Sequence, residues 1–324
     1  MIGAPSFTVA LVGNPNTGKT TLFNVLAGMN QRVGNYAGVT VETKKGRCRH
    51  AGQEFDVIDL PGTYSLSARS PDEMVAVDVI LGRQMTEKKP DLVVSIVDAS
   101  NLERHLFLTT QVLDLGVPVV IALNMVDVAE GLGITIDVAR LQERMGIAVV
   151  PLQANKGKGI EQLKATILRE LERAVPGAGP TFPEAFESEV VQVAQRIEGS
   201  FPPALARRLL LDVGGQTERS VLEAKGSGFS EHLSAARQRL AQAGCGVPGI
   251  EARTRYAWIR RTTEGCIKRP AVRKTTWTDQ LDRTLTHPIF GTLIFLGVML
   301  LVFISIFYWA KPLMDLIGSG QGWL

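Results

Sequence analysis

The residues Gly13 to Thr20 read GNPNTGKT and follow an apolar run, FTVALV. A glycine, four residues, a second glycine, then Lys-Thr is a spacing with a specific chemistry. The backbone N–H groups of such a loop curl around phosphate oxygens, and the helix opening at the lysine aims its positive dipole end at them. In that arrangement Gly13, Asn14, Pro15, Asn16, Thr17 and Gly18 form the cradle. Lys19 reaches the β- and γ-phosphates, Thr20 offers its hydroxyl to Mg²⁺, and Thr21 continues the first helical turn.

Four further stretches supply what a guanine nucleotide needs. DLPG (Asp59, Leu60, Pro61, Gly62) follows a strand-like run, so Asp59 can hold Mg²⁺ through water and the Gly62 N–H can meet the γ-phosphate. Upstream, GVTVE presents Gly38, Val39 and Thr40, and Thr40 is placed to close over Mg²⁺ only when a γ-phosphate is present. NMVD ends another apolar strand, with Asn124, Met125 and Asp127. Asp127 can accept from the guanine N1–H and 2-amino group. Adenine has neither donor and would leave the carboxylate unpaired. In LQANKGKG the loop residues are Gln153, Ala154 and Asn155, and the Ala154 N–H is aimed at the guanine O6.

The elements that must position these loops alternate between strand and helix over residues 1–175. Six strands are expected: FTVALVG, VTVETKKGRC, QEFDVIDL, DLVVSIVDA, PVVIALN and AVVPLQA. The second and third form an antiparallel pair, and the last three are apolar enough to be buried on both faces. Helices are expected from Lys19, Pro71, Asn101, Asp137 and Gly159. The pattern is α/β, a P-loop G domain with a mixed, mostly parallel six-stranded sheet. VPGAGPTFP then breaks it, and residues 183–273 read as a small all-helical domain. Residues 277–288 are an amphipathic lead-in, and Ile289 to Ala310 is an uncharged run of 22 residues, the length of a transmembrane helix.

Bulk properties bound the remaining choices. The chain has 324 residues, 45% hydrophobic and 21% charged, with a formal net charge of +3, so nothing global argues for nucleic acid as partner. Cys48, Cys245 and Cys266 are widely spaced and form no CxxC pair, which points to reduced thiols. Basic residues crowd the near side of the apolar run, and Lys311 alone follows it, so the N-terminal bulk is expected to be cytoplasmic. The four histidines share no spacing and are not read as metal ligands. Glu184, Glu187 and Glu189 read as a solvated acidic stretch. The basic face around Arg253 to Arg261 reads as either solvated or attracted to acidic lipid.

The five motifs resemble those of Ras-type GTPases of the bacterial class that includes Era and MnmE. GNPNTGKTTLFN, QRVGNYAGVTVE, DLPGTYSL and NMVD together resemble the N-terminal region of the ferrous iron transport protein B family, and the likeness continues through the helical domain to DQLDRTLTHPIFG and the apolar run. The resemblance implies a GTPase whose nucleotide state controls Fe²⁺ uptake across the bacterial inner membrane. It also implies a helical domain that restrains nucleotide release, and Asn124 with Asp127 as the base-reading pair. Family members carry many further spans, so it implies that this chain is one part of a longer transporter, with the lipid bilayer, the remaining spans, Fe²⁺ and a homo-oligomer as partners.

Two departures bear on catalysis. Thr63 stands just after D-x-x-G, where Ras-like enzymes with a catalytic glutamine carry it, and its side chain is too short to orient water as an amide does. The resemblance supplies a substitute, a K⁺ ion held by the Asn16 side chain and the Gly34 and Tyr36 carbonyls. Lys19, Thr40, Gly62 and Asn16 are then the catalytic set. Gln153 stands where the family usually has Ser or Thr, which predicts a less braced base loop and fast GDP release. Met125 replaces the lysine of N-K-x-D and can lie over the base as an apolar lid. Two other functions fit a membrane-linked G domain. An Era- or MnmE-like enzyme acting on RNA is disfavoured by the apolar run and the lack of a basic RNA-binding module; a membrane-tethered regulatory switch stays open.

Overall fold

The structure, a computed structural model, describes residues 7–28, 31–35, 42–67, 71–83, 88–198, 201–202, 204–270 and 277–309. They fall in two compact units, Met1–Pro270 and Ala271–Leu324.

In the first unit the strands are β1 (Phe7–Gly13), β2 (Gln31–Asn35), β3 (Glu42–His50), β4 (Gln53–Asp59), β5 (Leu92–Asp98), β6 (Val119–Asn124), β7 (Thr135–Ile136), β8 (Val149–Pro151) and β9 (Ile267–Lys268). The helices are α1 (Lys19–Ala27), α2 (Pro71–Ile80), α3 (Leu102–Leu113), α4 (Val126–Gly131), α5 (Val138–Met145) and α6 (Ile160–Arg173). After residue 183 come α7 (Glu184–Ile197), α8 (Leu205–Leu211), α9 (Gln216–Lys225), α10 (Ser227–Gln242) and α11 (Gly249–Thr263).

The main sheet has the order β2-β3-β4-β1-β5-β6-β8. It is parallel from β4 through β8, with Val9 beside both Val57 and Leu92 and Val94 beside Val120, while β2, β3 and β4 are antiparallel neighbours. β1 is central, and its residues from Thr8 to Gly13 are buried, which is why that run is almost wholly apolar. The sheet has seven strands where six were expected. The extra one, β2, reads QRVGN; its residues 31–34 are exposed, so it carries no alternating apolar face to mark it as a strand.

Chain order reverses at β1, with β4 on one side and β5 on the other. That switch point opens a crevice at the carboxyl ends of the parallel strands, where open α/β sheets bind ligands. Gly13, Asp59, Asn124 and Pro151 are the last residues of β1, β4, β6 and β8, so four sequence motifs meet at one edge.

Each face of the sheet has its own core. One packs α1 and α6, with Leu22, Phe23, Leu163 and Ile167 buried. The other runs from Leu106 and Val112 of α3 without a break into Phe186, Leu209 and Ile259. The helices after residue 183 therefore share a core with the sheet domain, and a two-residue ribbon pairs Thr135 with Lys268 and Ile136 with Ile267.

The second unit holds α12 (Trp277–Leu285) and α13 (Phe290–Ile304), which continues as a π-helical turn over Ser305–Trp309. Phe290–Tyr308 is long and apolar enough to cross a membrane, and no residue of α13 is buried. Ala310, the last residue of the expected span, lies outside the described residues.

Candidate nucleotide-binding site

The loop between β1 and α1 is shaped by positions that accept little else. A Cβ on Gly13 would lie 2.9 Å from the Ile96 carbonyl oxygen of β5, tighter than real contacts allow. Asn16 (φ 65°) and Gly18 (φ 83°) are left-handed, a region open to Gly and tolerated by Asn. A Cβ on Gly18 would collide with the Asn124 side-chain amide. Thr17 is fully buried and its hydroxyl donates to the Asn14 carbonyl at 2.8 Å, tightening the turn. The Asn14 Oδ1 is buried with no hydrogen-bond partner. A native loop rarely leaves such an acceptor unmet, unless it awaits a donor.

Beside the loop, the Lys19 ammonium is paired with the Asp59 carboxylate. The Thr63 N–H donates to the Gly13 carbonyl at 3.2 Å, tying the D-x-x-G segment to the cradle. The Thr63 hydroxyl donates to the Ser65 carbonyl at 2.6 Å, so this side chain is engaged in its own turn. Thr20 and Asn16 are exposed at the head of α1. With the Asp59 carboxylate, they present the hard oxygen donors that Mg²⁺ and K⁺ take. Gly34 lies on β2 opposite Thr43. Tyr36, Gly38, Val39 and Thr40 lie outside the described residues.

On the base side Asn124 is a strut. Its Nδ2 donates to the Thr17 carbonyl at 2.9 Å, and its Oδ1 accepts from the Ala154 N–H at 3.0 Å. The phosphate loop and the base loop are thus held at a fixed separation by one buried amide. The Ala154 N–H, expected to meet a guanine O6, is engaged by Asn124 and would have to be shared. Met125 takes φ 59°, and its terminal methyl would be 3.8 Å from a Cβ on Gly18, so it lies across the end of the phosphate loop.

Asp127 sits in the first turn of α4 and is partly exposed. Its Oδ2 is 2.6 Å from Lys156 Nζ, and its Oδ1 accepts from the Val128 N–H at 3.1 Å. The hydrogen bond from Lys156 holds this carboxyl below the usual range, so it is a charged acceptor at neutral pH. Lys156 was not among the expected site residues; it lies two positions past Ala154 in a single 3₁₀ turn.

Gln153 was expected to leave the base loop poorly braced. Its backbone instead exchanges two hydrogen bonds with Lys158, at 3.1 and 3.2 Å. This brace is made by main-chain atoms and closes over Gly159, which is left-handed and packed against the Pro151 carbonyl.

A second polar cluster was not anticipated at all. The Leu66 N–H donates to Gln111 Oε1 at 2.7 Å, and Gln111 Nε2 donates to Ser65 Oγ at 3.0 Å and to Glu251 Oε1 at 2.8 Å. Arg208 donates to Ser67 Oγ at 2.8 Å and pairs with Asp212 (2.6 Å) and Glu251 (2.8 Å). Arg255 pairs with Glu251 at 2.9 Å and with Asp114 at 2.5 Å. The segment just after D-x-x-G is therefore bonded to α3 and α8, and through Gln111 and Arg208 to Glu251 of α11. Burial pushes the Glu251 carboxyl up, but Arg208 and Arg255 outweigh it and bring it down to about 2. The sequence signal was a charged or amide residue inside an apolar helix: Gln111 in LTTQVL and Arg208 in ARRLLL.

Two expectations about charge are corrected here. Arg255 is fully buried in this cluster, not on a basic surface face. Of the acidic stretch, Glu187 pairs with Arg207 at 2.8 Å and the buried Glu189 with Arg239 at 2.6 Å, while Glu184 alone is exposed. The basic partners sit 20 and 50 residues away in the chain, so local composition could not reveal them. Among the histidines, His105 is buried, and its Nδ1 accepts from the Asp98 N–H at 3.0 Å. Among the described residues no three His, Cys, Asp or Glu side chains converge on a metal position, and all three cysteines are buried and free.

A seven-stranded, mostly parallel sheet with a P-loop at its switch point and an N-x-x-D strand end beside it defines a nucleotide-binding G domain of the Ras-like class. The model of the family described as ferrous iron transport protein B matches residues 7–167. The Fe(2+) transporter FeoB of Escherichia coli K12 is 39% identical over 325 residues, covering 96% of this chain and 40% of that protein. A GDP-bound mutant of the S. thermophilus FeoB G-domain superimposes with a TM-score of 0.68 at 36% identity, over 81% of this chain and all of that one. The cytosolic domain of T. maritima FeoB in its GMPPNP form gives a TM-score of 0.65 at 30% identity, over 81% of this chain and 99% of that one. The chain belongs to the ferrous iron transport protein B family. It spans about two-fifths of the length of the E. coli relative.

Proposed function

We propose that this chain binds and hydrolyses GTP as the cytoplasmic part of a bacterial inner-membrane transporter whose cargo is Fe²⁺. The observation that carries this is the Asn124 strut, which ties the phosphate loop to the base loop beside the charged Asp127. Asp127 accepts from the guanine N1–H and 2-amino group. The loop amides and the Lys19 ammonium bind the phosphates, and the Asn14 Oδ1 accepts a donor that binding brings to it. Lys19 and Asp59 neutralise each other until a nucleotide separates them, Lys19 going to the β- and γ-phosphates and Asp59 toward the metal side.

Thr20, Asp59 and Thr40 would hold Mg²⁺, which when bound neutralises charge on the β- and γ-oxygens. Gly62 offers its N–H to the γ-phosphate. Thr63 does not orient the attacking water; Asn16, Gly34 and Tyr36 would hold K⁺, which would supply stabilisation of the charge that develops in the reaction. Hydrolysis changes what Gly62 is bonded to, and the polar cluster carries that change from Ser65 and Ser67 to Arg208 and Glu251. On this reading the helices of residues 183–273 act as a domain that restrains nucleotide release. A single span cannot enclose an ion path, so iron movement needs the further spans of the full-length protein or an oligomer of it.

The test is nucleotide selectivity. GTP and GDP should displace a fluorescent GDP analogue from the first unit, ATP should not, and Asp127→Asn should move preference to xanthine nucleotides by on the order of a hundredfold. Equal competition by ATP would overturn the reading.

A further inference from the structure

The apolar helix α13 and its π-helical turn run from Phe290 to Trp309. At about 1.5 Å per residue the described stretch is long enough to cross a hydrocarbon layer of about 30 Å. If it spans, the cytosolic edge of the hydrocarbon falls near Phe290, where the apolar run begins. What lies immediately before that edge is α12, and the corner joining the two is tight. The Gly291 N–H donates to the His287 carbonyl at 2.7 Å, and a Cβ on Gly291 would collide with the Leu285 carbonyl oxygen. The end of α12 is thereby pressed against the first turn of α13, at the depth where the bilayer core begins.

The corner is finished as such a depth requires, with its polar groups met from within. His287 Nδ1 accepts from the Ile289 and Phe290 N–H groups at 3.2 and 3.4 Å. The Thr286 hydroxyl donates to the Asp282 carbonyl, and the Thr292 hydroxyl to the Pro288 carbonyl, both at 2.6 Å. Along α12 the sequence is apolar at every fourth position, 277, 281 and 285, and Leu281 and Leu285 share one stripe. Leu281 and Leu285 are 45% and 47% exposed, while Asp282 and Arg283 lie off the stripe.

We propose that α12 is an interfacial helix. It lies in the cytosolic headgroup layer with the Leu281–Leu285 stripe turned to the acyl boundary and Arg283 toward lipid phosphate. The occupant of the stripe is lipid, because Leu285 lies against the first turn of α13 and lines one cavity with Phe295, on a helix none of whose residues is buried. This inference rests on the reading of α13 as a span.

The experiment places one nitroxide spin label at a time on the full chain in phosphatidylethanolamine–phosphatidylglycerol vesicles, through Leu281→Cys, Asp282→Cys, Leu285→Cys or Val298→Cys. The three native thiols are buried, and the unsubstituted chain serves as the labelling control. Collision with oxygen and with a water-soluble nickel chelate reports depth. Labels at 281 and 285 should favour oxygen and sit just beneath the phosphates. The label at 282 should meet nickel several-fold more often, and that at 298 should be deepest. Gly291→Ala, which opens the corner, should move the 285 label toward water and leave 298 in place. If 298 is deep but 281 and 282 meet nickel equally, α12 is in water and the proposal falls while the span stands. If 281 and 285 are shielded from both reagents, protein covers the stripe and the proposal again falls. A label at 298 in water removes the span, and the proposal with it.

Discussion

The nucleotide edge of the sheet and the cluster between α3 and α11 are both rich in polar side chains, and they treat them in opposite ways. At the edge, Asn14 Oδ1 is buried and unmatched, Thr20 and Asn16 face outward, and Asp127 is held by the half-exposed Lys156. In the cluster, Arg208 and Arg255 are buried completely, and Glu251 is bonded by both arginines and by Gln111. The first arrangement leaves polar groups unmatched, as the proposed nucleotide site would require. The second is complete alone and holds parts of the chain in register. A polar group's function here is told by whether its partners are already in the protein.

The sharpest way to break this contrast is at Lys19. Lys19→Ala removes the cation that would meet the phosphates. GTP turnover should fall on the order of a hundredfold to a thousandfold, as when a single charge-stabilising group is lost. Its ammonium is also the partner of the nearly buried Asp59 carboxylate, so the melting temperature should fall as well, but by less than in the cluster, where two buried guanidinium groups share one carboxylate. A calorimetric scan beside a phosphate-release assay checks both halves; a large drop in melting temperature with turnover intact would invert the contrast.

The cluster should give the mirror result. Glu251→Ala leaves two buried guanidinium groups short of their shared partner, which should cost about 3–5 kcal/mol in denaturant unfolding. Nucleotide preference should be untouched. The same carboxyl gives a pH signature. Its folded value of about 2 lies below the ordinary 4.5, so its contribution is complete above pH 4.5 and is lost as the pH falls toward 2. The difference corresponds to about 3 kcal/mol. The Glu251→Ala variant should lose that much of the acid sensitivity between those values, while a variant at the nucleotide edge should keep it.

How legible each region was in the sequence follows from the same contrast. Gly13, Lys19, Asp59 and Asp127 were readable because phosphate and base chemistry fix residue type and local spacing, and their loops are made of neighbours in the chain. Gln111, Arg208 and Glu251 come from three distant helices, and each alone reads as a polar interruption. Only packing shows that they meet. Strand β2 escaped because exposed residues carry no burial pattern, and Lys156 because a lysine in a polar loop is ordinary until its ammonium is found on Asp127. The seven-strand order could not be read from composition, although the parallel core around β1 could.

Cations divide the edge further. If Asn16 and Gly34 help hold K⁺, replacing KCl by NaCl should slow GTP hydrolysis by about tenfold and leave GDP affinity unchanged, because the ion acts on charge that develops during reaction. Asn16→Ala should remove the difference between the two salts. Equal rates in both salts for the unsubstituted chain would take K⁺ out of the mechanism and leave the Lys19 effect intact.

The smallest effect expected is at Gln153. If a side-chain hydroxyl at this position stiffens the base loop, Gln153→Ser should slow GDP release markedly. The structure argues otherwise, because the brace is the pair of main-chain bonds between Gln153 and Lys158, which any residue but proline preserves. The change in stopped-flow release rate should therefore be under about twofold, within the few tenths of a kcal/mol typical of a surface substitution. Gly159→Ala is the informative partner. Its left-handed backbone and its packing against the Pro151 carbonyl leave no room for a Cβ, so it should loosen the loop where Gln153→Ser does not. If the serine variant releases GDP tenfold more slowly and the alanine variant is unchanged, the brace lies in the side chain. The base loop would then be held by side chains throughout, the Asn124 amide on Ala154 being its other support, as the buried cluster is.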